Sequence, residues 1–450
     1  MEKSREYYPL TSSQNMIFST SQSTLSVRLA KKCSTLVLVF EWNDTLADEN
    51  LIKQAAQVLI DRNDSFRVRI ERGLFGKHRQ YINQTETPEF GEKSFSTDEE
   101  YEAWLAQAYQ IIMPVFNVPL YKFVIVKRPN EKMAFWIAMH HIMSDGYSHR
   151  LTHDYFSAYY LALQEGKPIP DLKEGSFLHT IHREINYLKS DRVNEDRAFW
   201  KNMFDNEKEY SVPGGWRTLF IRADTHDYMI ENETYKKLMQ ACAEFGCSHN
   251  MLLMCAVAMT TFVLSKKRVF PICSLSYGRI NAEARRTIGC LANTPVLMYH
   301  VNPQLSFKEF TMKHYRESIE AMRHVEYPQD KLTLLTFPRA IKNGMKFNYA
   351  WFAFSPMEFE AAFAHTGVSA RSFIMEGIVS QMYCSVFHHA VQNKFHIELK
   401  YQMRKYPKHK IQRYSDMFSQ VLNAVLSNPH DAMETVLSFD KPTQAASAQL

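Results

Sequence analysis

Apolar and polar positions alternate in several short stretches of the chain. Residues 66–70 read FRVRI and residues 395–400 read FHIELK, with an apolar residue at every second position. This period of two predicts half-buried strands. The β-branched and aromatic run TLVLVFEW at 35–42 predicts another strand, and the apolar run MAFWIAM at 133–139 predicts a buried one.

A second period, with apolar residues three or four positions apart, predicts amphipathic helices. Residues 51–62, 151–163 and 411–425 each present one apolar side of this kind. The stretch MLLMCAVAMTTFVL at 251–264 is apolar almost throughout. It is too short to span a bilayer, so it predicts a helix in a protein core.

Strands and helices are mixed along the chain, without strict alternation and without a Gly-rich phosphate loop. The pattern therefore predicts a mixed α/β fold. A length of 450 residues favours two lobes. The segment 167–175 contains two prolines and is the best boundary, which gives an N-terminal lobe at 1–175 and a C-terminal lobe at 176–450.

Composition narrows the class of protein. The formal net charge is +5 and the charges are interspersed, which disfavours nucleic-acid binding but suits a transient acidic partner. The seven cysteines lack the density of a disulfide framework and the spacing of a zinc site, so no bound metal is expected. The N-terminus MEKSREYYPLTSSQ has no apolar signal core, and we expect a cytoplasmic protein without membrane association.

The stretch HHIMSDG at 140–146 carries the candidate chemistry, because it stands where a buried strand ends and a helix begins. In this interpretation the second histidine, His141, accepts a proton as a general base. Asp145, held by a cation elsewhere in the chain, fixes the local backbone. Gly146 allows a sharp turn.

A structural interpretation of the same residues stands beside the catalytic one. Asp145 is also a good N-cap for a helix that begins near Tyr147. His140 and His141 can be ordinary histidines at a strand end, and a second pair, His388-His389, has no Asp-Gly behind it. A histidine pair alone therefore does not decide the function.

HHIMSDG resembles the HHxxxDG signature of nonribosomal peptide synthetase condensation domains, in the chloramphenicol acetyltransferase-like superfamily. Further stretches resemble that family's motifs in the same order: YPLTSSQ at 8–14, DRNDSFRVRI at 61–70, YLKSDRVNEDRAFW at 187–200, GRINAEARRTIGCLANT at 278–294, and His324 with Tyr327-Pro328. The resemblance runs from about residue 8 to about residue 440. A late RDxSRNPL-type motif is missing, which weakens the assignment of a subtype.

The resemblance implies an architecture and partners. It implies two chloramphenicol-acetyltransferase-like lobes in a V-shaped pseudo-dimer, with the histidine motif at a central tunnel. Carrier proteins would bind at the donor and acceptor faces and present thioesters on phosphopantetheine, and no cofactor would be bound intrinsically. Segments at 290–294 and about 354–367 would cross over between the lobes.

The resemblance also implies roles for individual residues. The catalytic set is His141, His140, Asp145 and Gly146. Asp145 points away from the site in family members and pairs with an arginine, which by motif position is Arg62, with Arg67 in reserve. Tunnel candidates are Tyr147, Ser148, Asn293 and Thr294, although the last two are expected to cap backbone groups rather than to touch substrate.

The implied activity is a condensation that joins a carrier-bound acyl or aminoacyl thioester to an amine or hydroxyl. The alternative is a stand-alone acyltransferase that takes a carrier-protein or coenzyme A thioester and a small soluble amine or alcohol. A non-catalytic recruitment module is disfavoured by the intact HHIMSDG. We expect a monomer in either case.

Overall fold

The computed structural model describes residues 5–21, 34–43, 47–73, 77–207, 223–332, 335, 350–355, 368–374, 382–404 and 406–437. The chain divides into two compact units. Unit 1 comprises residues 1–193, 277–292 and 358–377, and unit 2 comprises residues 194–276, 293–357 and 378–450. The lobe boundary at residue 175 and the crossover at 290–294 stay predictions, and most of the other crossover, 356–367, lies outside the described residues.

The helices and strands follow one another in a mixed order. They are β1 (Tyr8–Pro9), α1 (Ser12–Ser21), β2 (Thr35–Trp42), α2 (Glu49–Arg62), β3 (Val68–Glu71), β4 (Arg79–Ile82), β5 (Phe90–Ser94), α3 (Asp98–Ala108), β6 (Tyr121–Lys127), β7 (Met133–His140), α4 (Gly146–Gln164), α5 (Phe177–Lys189), α6 (Arg192–Asp205), β8 (Ala223–Ile230), α7 (Asn232–Phe245), α8 (His249–Ser265), β9 (Val269–Ser274), β10 (Val296–His300), α9 (Phe307–Arg323), β11 (Ala350–Ser355), β12 (Val368–Ile374), β13 (Met382–His389), β14 (Lys394–Gln402), α10 (Lys408–Ser427) and α11 (Met433–Val436). The mixed α/β class is confirmed.

Unit 1 is built on a five-stranded sheet with the order β12-β2-β7-β6-β5. Only β5 and β6 pair in parallel. Every residue of β2 and β7 is buried, because side chains from both faces of these strands enter a core. One face packs on α2 and α4 around Phe40, and the other packs on α3 around Trp136.

Unit 2 contains a six-stranded sheet with the order β10-β9-β11-β13-β14-β8. Phe395, Ile397 and Leu399 on β14 are buried, as their alternation predicts. Helix α8 is buried from Met251 to Thr261, so the predicted core helix is confirmed. No single helix in the described ranges is apolar and long enough to cross a membrane; α7 and α8 pass that test only as a pair bent by 109°.

The stretch 61–70 differs from its predicted form in one respect. Residues 64–67 form a short 3₁₀ helix before β3 begins. Asp64 in that turn accepts hydrogen bonds from the backbone N–H groups of Phe177 (2.7 Å) and Leu178 (3.1 Å) and from the hydroxyl of Ser176 (2.6 Å). Asp64 therefore caps the N-terminus of α5 from a distant part of the chain.

Replacing Asp64 tests this cap. We expect Asp64→Ala to lower the free energy of unfolding by about 1–2 kcal/mol, because the first turn of α5 loses an acceptor for its N–H groups. Urea unfolding measures the change. Asp61→Ala is the control, since that carboxylate is exposed and accepts from the side chain of Gln57. Equal losses in the two variants would contradict the capping role.

Candidate functional site

The junction between β7 and α4 is held by the first histidine of the pair. His140 is buried, and its Nδ1 accepts a hydrogen bond of 3.1 Å from the backbone N–H of Ile142. Burial, together with the neighbouring His141, lowers the pKa of His140 to about 3. The ring is therefore neutral at physiological pH and supports the turn.

The second histidine is more accessible than the first. The backbone N–H of His141 donates to the carbonyl of Ser34 at 2.7 Å, which ties the turn to the start of β2. The residue is half-buried, and its Nδ1 has no hydrogen-bond partner within the described part of the chain. Burial lowers the pKa of His141, while the carbonyls of His141 and Ser144 and the charge of Asp145 oppose the shift. The imidazole is therefore neutral, as a base requires.

Asp145 caps helix α4. Its Oδ1 accepts from the backbone N–H of Ser148 at 2.9 Å, and its own backbone is extended. Its Oδ2 accepts from the backbone N–H groups of Leu291 and Ala292, each at 2.9 Å. The N-cap interpretation of Asp145 is confirmed, and one carboxylate also fixes a second segment of unit 1.

Arg279 is the cation that pairs with Asp145. Its Nη1 lies 2.5 Å from Oδ2 and its Nη2 lies 2.9 Å from Oδ1, which makes a two-point ion pair. The two side chains are only 4% and 1% exposed. Burial alone would raise the pKa of Asp145, but the charge and hydrogen bonds of Arg279 outweigh it and lower the pKa. Asp145 is therefore a buried, ionised and fully paired carboxylate.

The predicted pairing of Asp145 with Arg62 is wrong. Arg62 stands in the last turn of α2, where its Nη1 donates to the carbonyl of Pro170 at 2.6 Å and to Glu174 at 3.2 Å. About a third of its side chain is exposed. The guanidinium therefore ties α2 to the segment after α4 and leaves Asp145 to another partner.

The reserve, Arg67, is excluded by its own contacts. Its guanidinium donates to the carbonyls of Ile60 (2.6 Å) and Asp61 (2.7 Å) and to that of Asn83 (3.1 Å). It thus satisfies carbonyls near the C-terminus of α2. The arginine that sequence reasoning missed stands second in GRINAEARRTIGCLANT, and the Gly-Arg pair was the available signal.

Two glycines near the ion pair differ in whether their backbone conformation and surroundings require a glycine. Gly146 is the first residue of α4 and does not have a positive φ, so the predicted sharp turn does not depend on it. A Cβ built there meets nothing within 4 Å. Gly278 has φ +65°, and a Cβ there would lie 1.9 Å from the carbonyl oxygen of Leu291. Gly278 is therefore needed to bring Arg279 and the 291–292 backbone to Asp145.

The side chains of Tyr147 and Ser148 lie against the ion pair. The ring of Tyr147 is half-buried, with the guanidinium carbon of Arg279 4.8 Å from its centroid. The hydroxyl of Ser148 donates to the carbonyl of Gly289 (2.7 Å) and accepts from Arg279 (2.7 Å). Because protein groups occupy this hydroxyl, the structure assigns Ser148 to the network around Asp145, and its tunnel role stays a prediction.

Asn293 and Thr294 belong to unit 2. The Asn293 side chain donates to the carbonyl of Val325 (2.6 Å) and accepts from the backbone N–H of Thr294 (2.8 Å). Thr294 is buried. These contacts favour the expected capping of backbone groups by Asn293. Within the described residues no three histidine, cysteine or carboxylate side chains are arranged to hold a metal ion.

The family model for the condensation domain matches residues 4–446. The chain belongs to the condensation-domain family. The resemblance drawn from HHIMSDG is thereby confirmed. Among curated relatives, surfactin synthase subunit 1 of Bacillus subtilis (strain 168) is 22% identical over 336 residues, which covers 72% of this chain and 9% of that protein. Tyrocidine synthase 3 of Brevibacillus parabrevis is 22% identical over 446 residues, which covers 94% of this chain and 6% of that protein.

Solved condensation domains share the fold. A mutant of the starter condensation domain of rhizomide synthetase RzmA, in complex with C8-CoA and Leu-SNAC, matches with a TM-score of 0.79 and 16% identity over 96% of this chain and 98% of that one. The first condensation domain of the calcium-dependent antibiotic synthetase matches with a TM-score of 0.78 and 16% identity, over 96% of this chain and 99% of that one. The chain spans 6% to 15% of the length of the first four curated relatives.

Breaking the ion pair should destabilise the protein. We expect Asp145→Ala and Arg279→Ala each to cost about 3–5 kcal/mol of unfolding free energy, because each leaves a buried charge without its partner. Urea unfolding and the yield of soluble protein report the loss. Arg62→Ala is the matched control and should cost about 1 kcal/mol or less, since that pair is partly exposed. An Asp145→Ala protein as stable as Arg62→Ala would refute the structural role.

Stability should depend on pH through three histidines whose pKa is lowered by burial. Burial lowers the pKa of His140, His141 and His149, to about 3 for the first and third. The unfolded chain binds these protons near pH ~6.5, so stability is full above that pH and falls as the pH decreases toward the folded values. The expected slope below pH 6.5 is up to about 1.4 kcal/mol per pH unit for each histidine.

Urea midpoints between pH 7.5 and pH 5 measure this slope. His149→Gln should reduce it, whereas replacement of the exposed His182 by glutamine should leave it unchanged. Asp145 and other carboxylates with lowered pKa values add their effect only below about pH 4.5. Stability that stays flat from pH 7 to pH 5 would contradict the burial of neutral histidines.

Proposed function

We propose that this chain is a condensation-domain acyltransferase of nonribosomal peptide biosynthesis. It transfers an acyl or aminoacyl group from a phosphopantetheine thioester on a carrier protein to an amine, or to a hydroxyl, on the acceptor. The observation that carries the proposal is a neutral, half-buried His141 beside a fully paired Asp145, in a chain that matches the condensation domain over residues 4–446.

His141 is the proposed general base. As the acceptor nitrogen attacks the thioester carbon, the imidazole takes the proton, which typically contributes about 10²–10⁴-fold in rate. The C–S bond then breaks, and the proton returns to the phosphopantetheine thiolate that leaves. Burial favours this role because it keeps the ring neutral below the ordinary histidine pKa. Aminolysis of a thioester is downhill, and holding both substrates in reacting geometry supplies up to about 7–11 kcal/mol of the remaining barrier reduction.

The first turn of α4 is the proposed site for the developing oxyanion. The N–H groups of Gly146 and Tyr147 have no acceptor within the helix, because the first turn never does. Asp145 takes the third N–H, that of Ser148. The positive end of the helix dipole adds to these donors. The open space at the Cβ position of Gly146 is compatible with a substrate lying in front of this turn.

Asp145 is proposed as a positioning residue. Its two oxygens are occupied by Arg279 and by the backbone N–H groups of Ser148, Leu291 and Ala292. A carboxylate held in this way stays ionised and fixes the turn that carries His141. This supports a role through the backbone rather than through proton transfer.

A second candidate is transfer from a coenzyme A thioester to a small soluble acceptor. It is favoured by the likeness to the RzmA starter condensation domain in complex with C8-CoA and Leu-SNAC. In both candidates the chain needs no bound cofactor. Carrier proteins at donor and acceptor faces, a monomeric state, a cytoplasmic location and the absence of nucleic-acid partners stay predictions.

An intact-mass assay separates the two candidates. A carrier protein loaded with an acyl or aminoacyl thioester, and the matching coenzyme A thioester, are each offered with a panel of amines and alcohols. Our proposal expects acyl transfer from the loaded carrier, measured as loss of the acyl mass from its phosphopantetheine. Transfer only from coenzyme A would replace the first candidate by the second, and no transfer from either donor would refute both.

Replacing His141 tests the base. We expect His141→Ala to lower the turnover rate by about 10²–10⁴-fold because no other group takes the proton. The thermal unfolding midpoint should change little, since the ring is half-buried and its Nδ1 forms no hydrogen bond with the described residues. His182→Ala is the control on an exposed histidine. Full turnover by the His141→Ala protein would eliminate the base assignment.

A further inference from the structure

The turn between α7 and α8 brings two cysteines together. Helix α7 ends with Gly246 at φ +65°, and the backbone N–H of Gly246 donates to the carbonyl of Cys242. The backbone N–H of Cys247 donates to the same carbonyl at 3.2 Å. This is the hydrogen bonding of a Schellman-type helix end. It places the third residue before Phe245, the last residue of α7, in contact with the second residue after Phe245. In this chain both positions are cysteines.

The Cα atoms of the two cysteines are close enough for a disulfide. A Cα atom lies ~1.5 Å from its own nitrogen and ~2.4 Å from its own carbonyl oxygen. The 3.2 Å hydrogen bond therefore holds the Cα atoms of Cys242 and Cys247 within ~7 Å of each other, even if all the atoms were collinear. Disulfides span Cα separations of about 4.4–6.8 Å. Because the chain bends at the peptide nitrogen of Cys247, the real separation is shorter than the collinear ceiling, and a bridge needs little movement of the backbone.

The two thiols differ in exposure and in acidity. Cys247 is half-buried, and a hydrogen bond from the thiol of Cys242 is the main cause that lowers its pKa. Cys242 is buried, and the same hydrogen bond, followed by burial, raises its pKa well above the ordinary value. Cys247 also immediately precedes Ser248, the N-cap of α8, where the positive end of the helix favours a thiolate.

The other described cysteines lack this environment. Burial raises the pKa of each of them: Cys255, Cys273, Cys290 and Cys384. A buried thiol with a raised pKa reacts slowly with a disulfide in solution, because the thiolate is the nucleophile and the buried sulfur is not accessible to that disulfide. Cys247 is thus the accessible thiol among the described residues, and Cys242 is the thiol beside it.

The geometry points to a site of reversible thiol oxidation in which Cys247 reacts first with a small disulfide such as oxidised glutathione and Cys242 resolves the product. The Cys247 thiolate attacks one glutathione sulfur, forms a mixed disulfide and releases one glutathione thiolate. Cys242 loses its proton to that thiolate and attacks the Sγ of Cys247, which releases the second glutathione. Two protein thiols become one disulfide while one oxidised glutathione becomes two reduced molecules.

The bridge would join the end of α7 to the beginning of α8 in the core of unit 2. This inference does not rest on the proposed transferase activity.

The full chain is incubated with oxidised glutathione, its free thiols are alkylated, and intact mass and peptide mapping follow. We expect a mass decrease of about 2 Da before alkylation, a Cys242–Cys247 cross-linked peptide, and recovery of both thiols with dithiothreitol.

Two variants and a control distinguish the roles of the cysteines. Cys242→Ser should accumulate the mixed disulfide on Cys247, because the resolving thiol is gone. Cys247→Ser should give no adduct at Cys242. Cys33→Ser, outside the described residues, should form the same bridge as the wild type. After oxidation, the wild-type chain is unfolded and then alkylated. If six or seven of its thiols react, or if a bridge uses any other cysteine, the inference is overturned.

Discussion

The buried ion pair between Asp145 and Arg279 is the interaction on which the rest of unit 1 around the histidine motif depends. Transferring two charges from water into a protein core is costly, and only good geometry and further hydrogen bonds offset that cost. Here the guanidinium binds both carboxylate oxygens, and backbone N–H groups from α4 and from residues 291–292 complete the carboxylate's partners. A helix start, a strand end and a returning loop are thereby fixed at one point.

Three of the stretches that resemble family motifs have structural roles in unit 1. Asp64, in DRNDSFRVRI, caps α5. Gln14, in YPLTSSQ, is fully buried and donates to the side chain of Gln80 at 2.9 Å, while its own amide oxygen accepts from the backbone of Thr11. Gly278, in the last of these stretches, lets the backbone approach Leu291 closely. These contacts hold the framework around the turn that carries His141, the residue proposed as the base.

Local patterns in the sequence predicted local structure well. The right element followed from the alternation in β14, from the apolar run of β7 and from the continuous apolar stretch of α8. Burial of one face of an element gives a periodic apolar pattern, and burial of all faces gives a continuous one. The capping by Asp145 followed from its place before a helix. The partner of Asp145 did not follow, since Arg279 lies 134 residues away and no periodicity encodes which loop returns to a helix start. The role expected of Gly146 failed for a related reason, because the glycine beside the ion pair that has a left-handed backbone is Gly278.

A double-mutant cycle on Asp145 and Arg279 tests the central claim most directly. The free energies of unfolding of Asp145→Ala, Arg279→Ala and the double variant are compared with that of the wild type. If the pair stabilises the turn that carries His141, the double variant will be far less destabilised than the sum of the single variants, with a coupling of about 2–3 kcal/mol. Strictly additive losses, with a coupling below about 0.5 kcal/mol, would show that the two side chains act independently and would contradict the account.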